Sequence, residues 1–376
     1  MAFADIRRGL FVLHMWIGLG LGLLLALLGL SGSVLVYDDA IADMLAPPPK
    51  ATAQGRMLSL DAIIAAARAQ NPGRGQVQLV PPQAPGEAAS VRLGEMSRMG
   101  AMPNMQRAGM PRQRSATEVF VDPVSGAVLG RRTALQPPIL TFAHQLHGNF
   151  LMGREGRQFV GWLGVAMVLL GLTGLVLWWP KRGQWKYAFI VRRTARGLRF
   201  HRELHAMLGI WAFFVFIVVS FSGVVLAWPQ TMGTPGFNPR ALPSAPPIEG
   251  AHRIGADRAV AIALAADPGA ALRSITIPGR RDQPVMVNLL SHGAINATAL
   301  IDPWRAKLMT LRDPSQSFLA WQRPVHQGTL GPVWKFLVFL TGFLPAVFVT
   351  TGVIMWAKKR KAHIAANAPL AEGAVP

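Results

Sequence analysis

The sequence HMWIGLGLGLLLALLGLSG at residues 14–32 has a counterpart in HAMLGIWAFFVFIVVSFSG at residues 205–223. Each stretch opens on a histidine, is almost entirely apolar, and reaches a Ser-Gly pair 17 positions after that histidine. Roughly 20 apolar helical residues cross a hydrocarbon core of about 30 Å, so each stretch predicts a transmembrane helix. The equal spacing in the two stretches indicates an internal repeat.

The composition of the 376-residue chain indicates a membrane protein. Hydrophobic residues make up 51% of the chain and charged residues 15%, with a mean hydropathy of +0.31, which is too apolar for an ordinary soluble protein. We predict four transmembrane helices, at Leu10–Tyr37, Phe159–Trp179, Ala206–Trp228 and Val333–Trp356. The absence of cysteine excludes disulfides, iron–sulfur clusters and thiolate metal sites.

Basic residues flank the predicted helices on one side of the membrane. Arg7 and Arg8 precede the first helix, eight Lys and Arg residues fill the loop at 181–204, and four more occupy 358–361. Because such residues accumulate on the cytoplasmic side, we expect both termini in the cytoplasm and the two long connections in the periplasm. The predicted environment is the bilayer of a bacterial inner membrane, and the net charge of +20 requires no nucleic-acid partner.

The repeat also organises the segments between the helices. Each long connection contains a helical stretch, at Leu60–Gln70 or Ala256–Ala266, followed by strand-like segments. A closing hairpin then follows, VFVDPVSGAVL at 119–129 or ALIDPWRAKLM at 299–309. The predicted fold is therefore a membrane all-α four-helix transmembrane bundle with two periplasmic α+β modules, built from two parallel internal repeats. The predicted order is N-terminus and first helix 1–37, first module 38–135, histidine-bearing segment 136–158, second helix 159–180, cytoplasmic loop 181–204, third helix 205–228, second module 229–312, histidine-bearing segment 313–332, fourth helix 333–356 and cytoplasmic tail 357–376.

Several motifs, in this order along the chain, resemble the PepSY-associated transmembrane (PepSY-TM) family. They are LHMWIGL at 13–19, SGSVLVY at 31–37, LHGNFLMGREGR at 146–157, LTGLVLWWPKR at 172–182 and FHRELHAMLGIW at 200–211. The family includes iron-regulated inner-membrane proteins and ferric-siderophore reductases. The resemblance implies PepSY-like periplasmic modules and, for the reductases, two b-type haems held by histidines between four helices. The chain departs from it at Arg323, which stands where the first half has His144, and in a Met-rich insertion.

Four histidines occupy matched positions in the two halves. An ionisable side chain inside a membrane helix is costly and marks a functional site, although His14 alone also fits a helix-packing or snorkelling role. The repeat places His205 at the same depth, and two neutral imidazoles that face each other form a bis-axial haem site. The same matching selects His147 and His326 on the periplasmic side. We predict that these four residues are axial ligands of the iron of two haems. The haems should be b-type, because no C-x-x-C-H motif exists for covalent attachment.

Small residues follow each membrane histidine along one helical face. The two faces consist of Gly18, Gly22, Leu25, Gly29 and Gly32 after His14, and of Gly209, Ala212, Phe216, Ser220 and Gly223 after His205. Such faces either make room for a flat macrocycle or permit close helix packing, and the sequence leaves both open.

Further polar residues provide second choices. His144 and His201 lie three and four residues from a favoured ligand, so they either replace it, hydrogen-bond haem propionates, or serve a structural role. No chemistry is assigned to His252, His292 or His363.

An anionic chelate would be attracted by a group of arginines near the base of the periplasmic modules, namely Arg131, Arg132, Arg154, Arg157 and Arg323.

A methionine run interrupts the first module. Met96, Met99, Met102, Met105 and Met110 recur among Gly, Pro, Arg and Asn residues without apolar periodicity, which indicates a flexible insertion. Thioethers are soft ligands that suit Cu(I). The run is therefore either a copper site, with Met96, Met99, Met102 and Met105 as its ligands, or a loop that tolerates methionine.

The expected function follows from the histidines together with the resemblance. We expect a haem-dependent oxidoreductase that transfers electrons across the membrane to a periplasmic ferric siderophore or other ferric chelate, with a quinol or a cytoplasmic reductant as the undetermined donor. Catalytic residues beyond the haem ligands are not identified by the sequence. Two alternatives remain: a non-redox membrane protein that binds or regulates a periplasmic partner such as a peptidase, and copper reduction or handling through the methionine run.

Overall fold

The computed structural model describes residues 3–70, 75–94, 116–133, 136–229, 231–232, 242–291, 295–313, 315 and 317–367. These residues belong to two compact units. The helical unit comprises Met1–Tyr37, Phe142–Trp228 and Val325–Pro376, and the sheet unit comprises Asp38–Thr141 and Pro229–Pro324.

The helices follow the apolar segments of the sequence. In chain order they are α1 Phe3–Val36, α2 Asp38–Leu45, α3 Leu60–Gln70, α4 Pro138–Asn149, α5 Gly153–Trp178, α6 Trp185–Ala188, α7 Gly197–Ala227, α8 Ala256–Ala266, α9 Phe318–Gln327, α10 Pro332–Thr341 and α11 Leu344–Ala366. Stretches long and apolar enough to cross a membrane are Asp5–Val36, Glu155–Trp178, Gly197–Ala227 and Pro332–Ala366. The prediction of four spanning helices is confirmed at the level of length and composition.

The fourth span has a turn at residues 342–343, where the sequence predicted one continuous helix. Helix α10 ends at Thr341 and α11 begins at Leu344. Pro345 follows immediately, and because proline has no N–H it cannot donate the hydrogen bond that would continue the helix. At this turn Gly342 lies against α1, where a Cβ atom would collide with the Ser33 side chain and the carbonyl oxygen of Gly29. The turn therefore lets two helix backbones approach closely.

The sheet unit contains one antiparallel sheet. Its strands are β1 Val77–Val80, β2 Ala89–Gly94, β3 Ala116–Val121, β4 Val128–Arg132, β5 Ala271–Ile277, β6 Val285–Ser291, β7 Ile295–Asp302 and β8 Lys307–Arg312, in the spatial order β4-β3-β2-β1-β5-β6-β7-β8. The sequence predicted two separate modules, whereas here β1 pairs with β5 in the register Val77↔Ile277. This pairing satisfies two strand edges that would otherwise expose unpaired backbone groups.

Helices α3 and α8 cover one face of this sheet and cap each other. The carboxylate of Asp61 in α3 accepts hydrogen bonds from the backbone N–H groups of Ala256 (2.6 Å) and Asp257 (3.3 Å) at the start of α8. In return, the Asp257 carboxylate accepts from the N–H groups of Leu60 (2.9 Å) and Asp61 (3.0 Å). Each helix thus satisfies the unpaired N–H groups of the other, which links the two halves of the sheet unit.

Candidate functional site

His14 and His205 lie together in the helical unit. Their ring centroids are 6.2 Å apart, and the rings are inclined by 73°. The Nδ1 atom of His14 lies 2.9 Å from the hydroxyl oxygen of Thr173 on α5, and Nδ1 of His205 lies 2.8 Å from the hydroxyl oxygen of Thr351 on α11. We call these two histidines the threonine-held pair.

The threonine hydroxyls determine which ring nitrogen carries the proton. Each hydroxyl donates its single hydrogen to a carbonyl one turn earlier in its own helix, from Thr173 to Leu169 (2.6 Å) and from Thr351 to Val347 (2.8 Å). The hydroxyl oxygen then accepts from the histidine, so Nδ1 must be the protonated nitrogen. A neutral ring in this tautomer has its lone pair on Nε2, where a metal ion can bind.

His147 and His326 form the second pair. They lie on α4 and α9, with ring centroids 5.9 Å apart and an inclination of 36°. Nδ1 of His147 donates to the carbonyl oxygen of Leu28 (2.9 Å), and Nδ1 of His326 donates to that of Val219 (3.0 Å). We call these two histidines the carbonyl-held pair, and the same reasoning places the lone pair of each neutral ring on Nε2.

The Ser-Gly repeats form the surface against which the carbonyl-held pair packs. A Cβ atom at Gly32 would lie 2.7 Å from Cε1 of His147, and one at Gly223 would lie 3.0 Å from Cε1 of His326. The preceding serine, Ser222, has its hydroxyl 3.2 Å from Nδ1 of His326. The sequence showed the Ser-Gly spacing but not its purpose, which is to let one histidine ring approach each long helix.

The geometry of both pairs fits a metal ion bound from two sides. Two imidazoles that bind one metal ion from opposite sides have ring centroids roughly 6 Å apart, since each metal–nitrogen bond is about 2 Å. The observed separations of 6.2 and 5.9 Å agree with this value. His14 precedes Leu28 on α1, and His205 precedes Val219 on α7, by 14 residues each. At 1.5 Å per residue, the two pairs are about 21 Å apart along the helices.

A cavity of about 1230 Å³ surrounds the threonine-held pair. Its lining is mostly apolar and includes Met15, Leu170, Phe213 and Phe348 beside the two histidines. A Cβ atom would meet nothing within 4 Å at Gly209 or Gly352. The cavity therefore has open space beside the histidines, as a flat macrocycle requires, and its volume exceeds the range of roughly 300–1,000 Å³ usual for small-molecule sites.

The two small-residue faces serve both purposes that the sequence left open. Gly18 and Gly209, one turn from their histidines, line the cavity. Farther along α1, a Cβ atom at Gly22 would lie 2.5 Å from the Val349 side chain, and one at Gly29 would lie 3.1 Å from Pro345. The part of each face near the histidine therefore makes room, whereas the later part of the face on α1 packs against α11 and the α10–α11 turn.

The second-choice histidines are not members of either pair. His144 is exposed on α4, one turn before His147. His201 precedes His205 by one turn on α7 and does not line the cavity, whereas His363, to which the sequence analysis assigned no chemistry, does. The methionine run, including Met96, Met99, Met102, Met105 and Met110, lies outside the described residues, as does His292.

The arginines that the sequence predicted to attract a chelate have different surroundings. Arg132 is paired with the buried carboxylate of Glu118 at 2.6 Å, and Arg157 donates to the carbonyl oxygen of Leu226 at 2.7 Å. Both guanidinium groups therefore stabilise the fold. Arg131 and Arg323 are exposed, while the side chain of Arg154 lies outside the described part of the chain.

Comparison with known proteins identifies relatives. The family model described as the PepSY-associated TM region matches residues 11–359. The uncharacterized protein PA4219 of Pseudomonas aeruginosa is 27% identical over 262 residues, covering 59% of this chain. This chain spans about 64% of the length of that relative. The resemblance that the sequence motifs indicated is confirmed over nearly the whole chain.

Proposed function

The chain belongs to the family of proteins with a PepSY-associated TM region, and we propose that it is a di-haem b-type reductase of the bacterial inner membrane. The proposal is carried by the two histidine pairs, whose ring centroids lie 6.2 and 5.9 Å apart. In each ring, Nδ1 is engaged by a hydroxyl or carbonyl oxygen. Metal-binding histidines usually donate their second nitrogen in this way.

The protein residues hold and orient the cofactor. Haem bound at these pairs would supply one-electron redox chemistry. His14 and His205 would hold one haem, and His147 and His326 the other. The threonine hydroxyls fix two of these rings, and the backbone carbonyls fix the other two. The wall of the cavity at the first site is mostly apolar and includes Leu170 and Phe213.

The substrate side of the proposal is a ferric chelate in the periplasm, such as a ferric siderophore. One electron converts Fe³⁺ to Fe²⁺, which hard oxygen ligands hold less tightly, so the iron is released from its chelate. The electron comes from a quinol or a cytoplasmic reductant. Basic residues near the chain termini and in the loop at 181–204 support a cytoplasmic location for that end of the bundle. The periplasmic placement of the sheet unit is part of the same proposal.

An absorption spectrum tests the central claim. Protein purified from haem-replete cells should show a Soret band and, after dithionite, the α-band of a b-type cytochrome, with about two haems per chain. A haem-free preparation would exclude the proposal and favour the partner-binding alternative.

The direction of transfer needs a separate measurement. Spheroplasts given a membrane-impermeant ferric chelate and a ferrous trap should reduce iron at a rate that depends on His147 and His326. Equal rates in wild type and in both alanine variants would exclude the periplasmic acceptor even if both haems are present.

A further inference from the structure

The mouth of the cavity differs from its interior in charge. Six cationic side chains line it: Arg7, Arg8, Arg199, Arg202, Lys359 and Arg360. Among the described residues that line the cavity, none is Asp or Glu. The cavity therefore combines an apolar body, next to two histidines, with a strongly basic rim.

Helix geometry places these cations beyond the histidines, toward one end of the bundle. Arg202 precedes His205 by three residues, and Arg7 precedes His14 by seven residues. These intervals correspond to about 5 and 10 Å along the helix axes. A ligand that reached from the histidines to the rim would therefore need to be elongated, apolar at one end and anionic at the other.

Two of the six cations are already engaged with the protein. The guanidinium of Arg7 donates to the carbonyl oxygen of Leu177 at 2.7 Å, and that of Arg199 pairs with the buried Glu203 at 2.9 Å. These bonds fix the ends of α5 and α7, so Arg7 and Arg199 contribute to the wall of the rim.

The other four cations, Arg8, Arg202, Lys359 and Arg360, are exposed. Lys359 lies over the ring of Phe11 at 5.2 Å, and Arg360 lies over that of Trp356 at 5.4 Å. A cation on an aromatic face keeps its N–H groups available for an anion while its position is restrained.

We infer that this rim is a carboxylate-binding subsite. On the basis of the proposed function, Arg8, Arg202, Lys359 and Arg360 take the two carboxylates of the tetrapyrrole held by His14 and His205. Charge-assisted hydrogen bonds from Arg and Lys to carboxylates are short and strong, so the rim sets the orientation of the ligand in its cavity. The headgroup of an anionic phospholipid has a related chemistry, and the experiment separates the two.

Basic residues at a helix end usually reflect membrane orientation alone, so the matched controls come from the same end. Lys358 is exposed and adjacent to Lys359 but does not line the cavity, and Arg193, in the loop before α7, is likewise exposed and does not line it. If general positive charge were sufficient, replacing Arg193 and Lys358 would have the same effect on haem binding as replacing Arg202 and Lys359.

The experiment compares haem b with haem dimethyl ester, in which both carboxylates are blocked. Full-length protein carrying His147→Ala, so that only one site titrates, is made in haem-deficient cells and titrated with each ligand by Soret absorption. Size-exclusion chromatography and circular dichroism check that each variant is folded. We expect the ester to bind at least roughly tenfold more weakly than haem, because charge-assisted bonds are lost. Arg202→Gln with Lys359→Gln should abolish this preference, and Arg193→Gln with Lys358→Gln should retain it.

Each other outcome has a defined meaning. Equal binding of haem and ester by protein that keeps all its cationic residues would overturn the proposed carboxylate subsite. A preference for haem that survives Arg202→Gln with Lys359→Gln would overturn it as well. A loss of co-purified anionic phospholipid in that variant, with the haem preference intact, would assign the rim to lipid headgroups instead. Absence of any haem binding would reject the proposed function itself, whereas normal haem binding with no ester discrimination rejects only the carboxylate subsite.

Discussion

The threonine-held and carbonyl-held pairs present the same tautomer by different means. His14 and His205 donate to hydroxyl groups on neighbouring helices, at 2.9 and 2.8 Å, and lie beside a large cavity. His147 and His326 donate to backbone carbonyls at 2.9 and 3.0 Å and pack against glycines. The first arrangement depends on two side chains that mutation can change. The second depends on the backbone and on the absence of two Cβ atoms.

The largest expected effect comes from the histidines themselves. Under the proposed function, His14→Ala or His205→Ala should remove one of the two haems, and His147→Ala or His326→Ala the other, because a bis-axial site loses a ligand. Haem content by pyridine haemochrome should fall by about half, and redox titration should show which component disappears. His252→Ala, an exposed residue of the sheet unit, should keep both haems. Loss of a haem in His144→Ala or His201→Ala would show that the ligands were chosen wrongly.

A smaller but selective effect should follow from closing the glycine surfaces. Gly32→Ala places a Cβ atom 2.7 Å from the ring of His147, and Gly223→Ala places one 3.0 Å from His326. The histidine or the helix must shift, so the haem at the carbonyl-held pair should be partly lost while the other remains. Separate redox components in a potentiometric titration measure this.

Gly20→Ala is the matched control for these two variants. Gly20 lies on the same helix as Gly32, and its added Cβ would meet nothing within 4 Å. Alanine there should raise helix stability by up to about 1 kcal/mol. Equal haem loss in the control would mean that helix α1 is sensitive to any substitution, and the docking role of Gly32 would be rejected.

The threonine-held pair should respond to a change that leaves its histidines in place. Thr173→Val or Thr351→Val removes the acceptor for Nδ1 without a large change in volume. Loss of such an outer partner typically costs 10- to 100-fold in metal affinity, so the haem at this pair should bind more weakly and its midpoint potential should shift. Serine at either position should restore wild-type behaviour.

The neighbouring threonine on α11 provides the control. Thr350 is exposed, and its hydroxyl donates to the carbonyl oxygen of Ala346 in its own helix at 2.8 Å. Thr350→Val should leave both haems unchanged. If Thr351→Val gave the same potential as wild type, the hydroxyl would be a packing group and the tautomer of His205 would be fixed by another contact.

The sequence anticipated the histidine pairs better than their partners. His14 and His205, like His147 and His326, occupy matched positions in the repeat, and the structure brings each pair together. Thr173 and Thr351 each precede a glycine at matched positions of the two halves. Their contact with the histidines depends on the rotation of α5 and α11 about their axes, which a single sequence does not specify.

The fold, too, could be predicted from the sequence only where local patterns define it. The helices at Leu60–Gln70 and Ala256–Ala266 have the predicted bounds because apolar periodicity and flanking turns define them locally. The pairing of β1 with β5 joins residues about 200 positions apart, and no local pattern distinguishes one shared sheet from two separate ones. The turn before Pro345 was overlooked because the apolar run continues through it.

The smallest expected effect on the two histidine pairs comes from a substitution in the sheet unit, which serves as their reference. Asp122, in the turn between β3 and β4, is buried, and its carboxylate accepts four backbone hydrogen bonds at 3.0 to 3.2 Å. The hydrogen bond from Ser125 lowers the pKa of Asp122 most, whereas burial raises it, and the bonds from Val124, Ala53 and Thr52 lower it further. The pKa of Asp122 therefore falls from 3.8 to about 2. A lowered pKa means that the ionised carboxylate stabilises the folded state above pH 4, and that this stability is lost as the pH falls toward 2.

Asp122→Asn should therefore lower the free energy of unfolding at neutral pH by about 2 kcal/mol, since one pKa unit corresponds to about 1.4 kcal/mol. The difference from wild type should shrink between pH 4 and pH 2, as measured by thermal unfolding in detergent followed by circular dichroism. Asp43→Asn, at an exposed position on α2, is measured beside it as the comparison variant. Because the four hydrogen bonds of Asp122 come from residues of its own unit, the Soret band and both midpoint potentials should be unchanged at neutral pH. A shift in either potential would mean that the stability of the sheet unit affects the haem sites, and the potentials of the glycine and threonine variants would then have to be interpreted against that contribution.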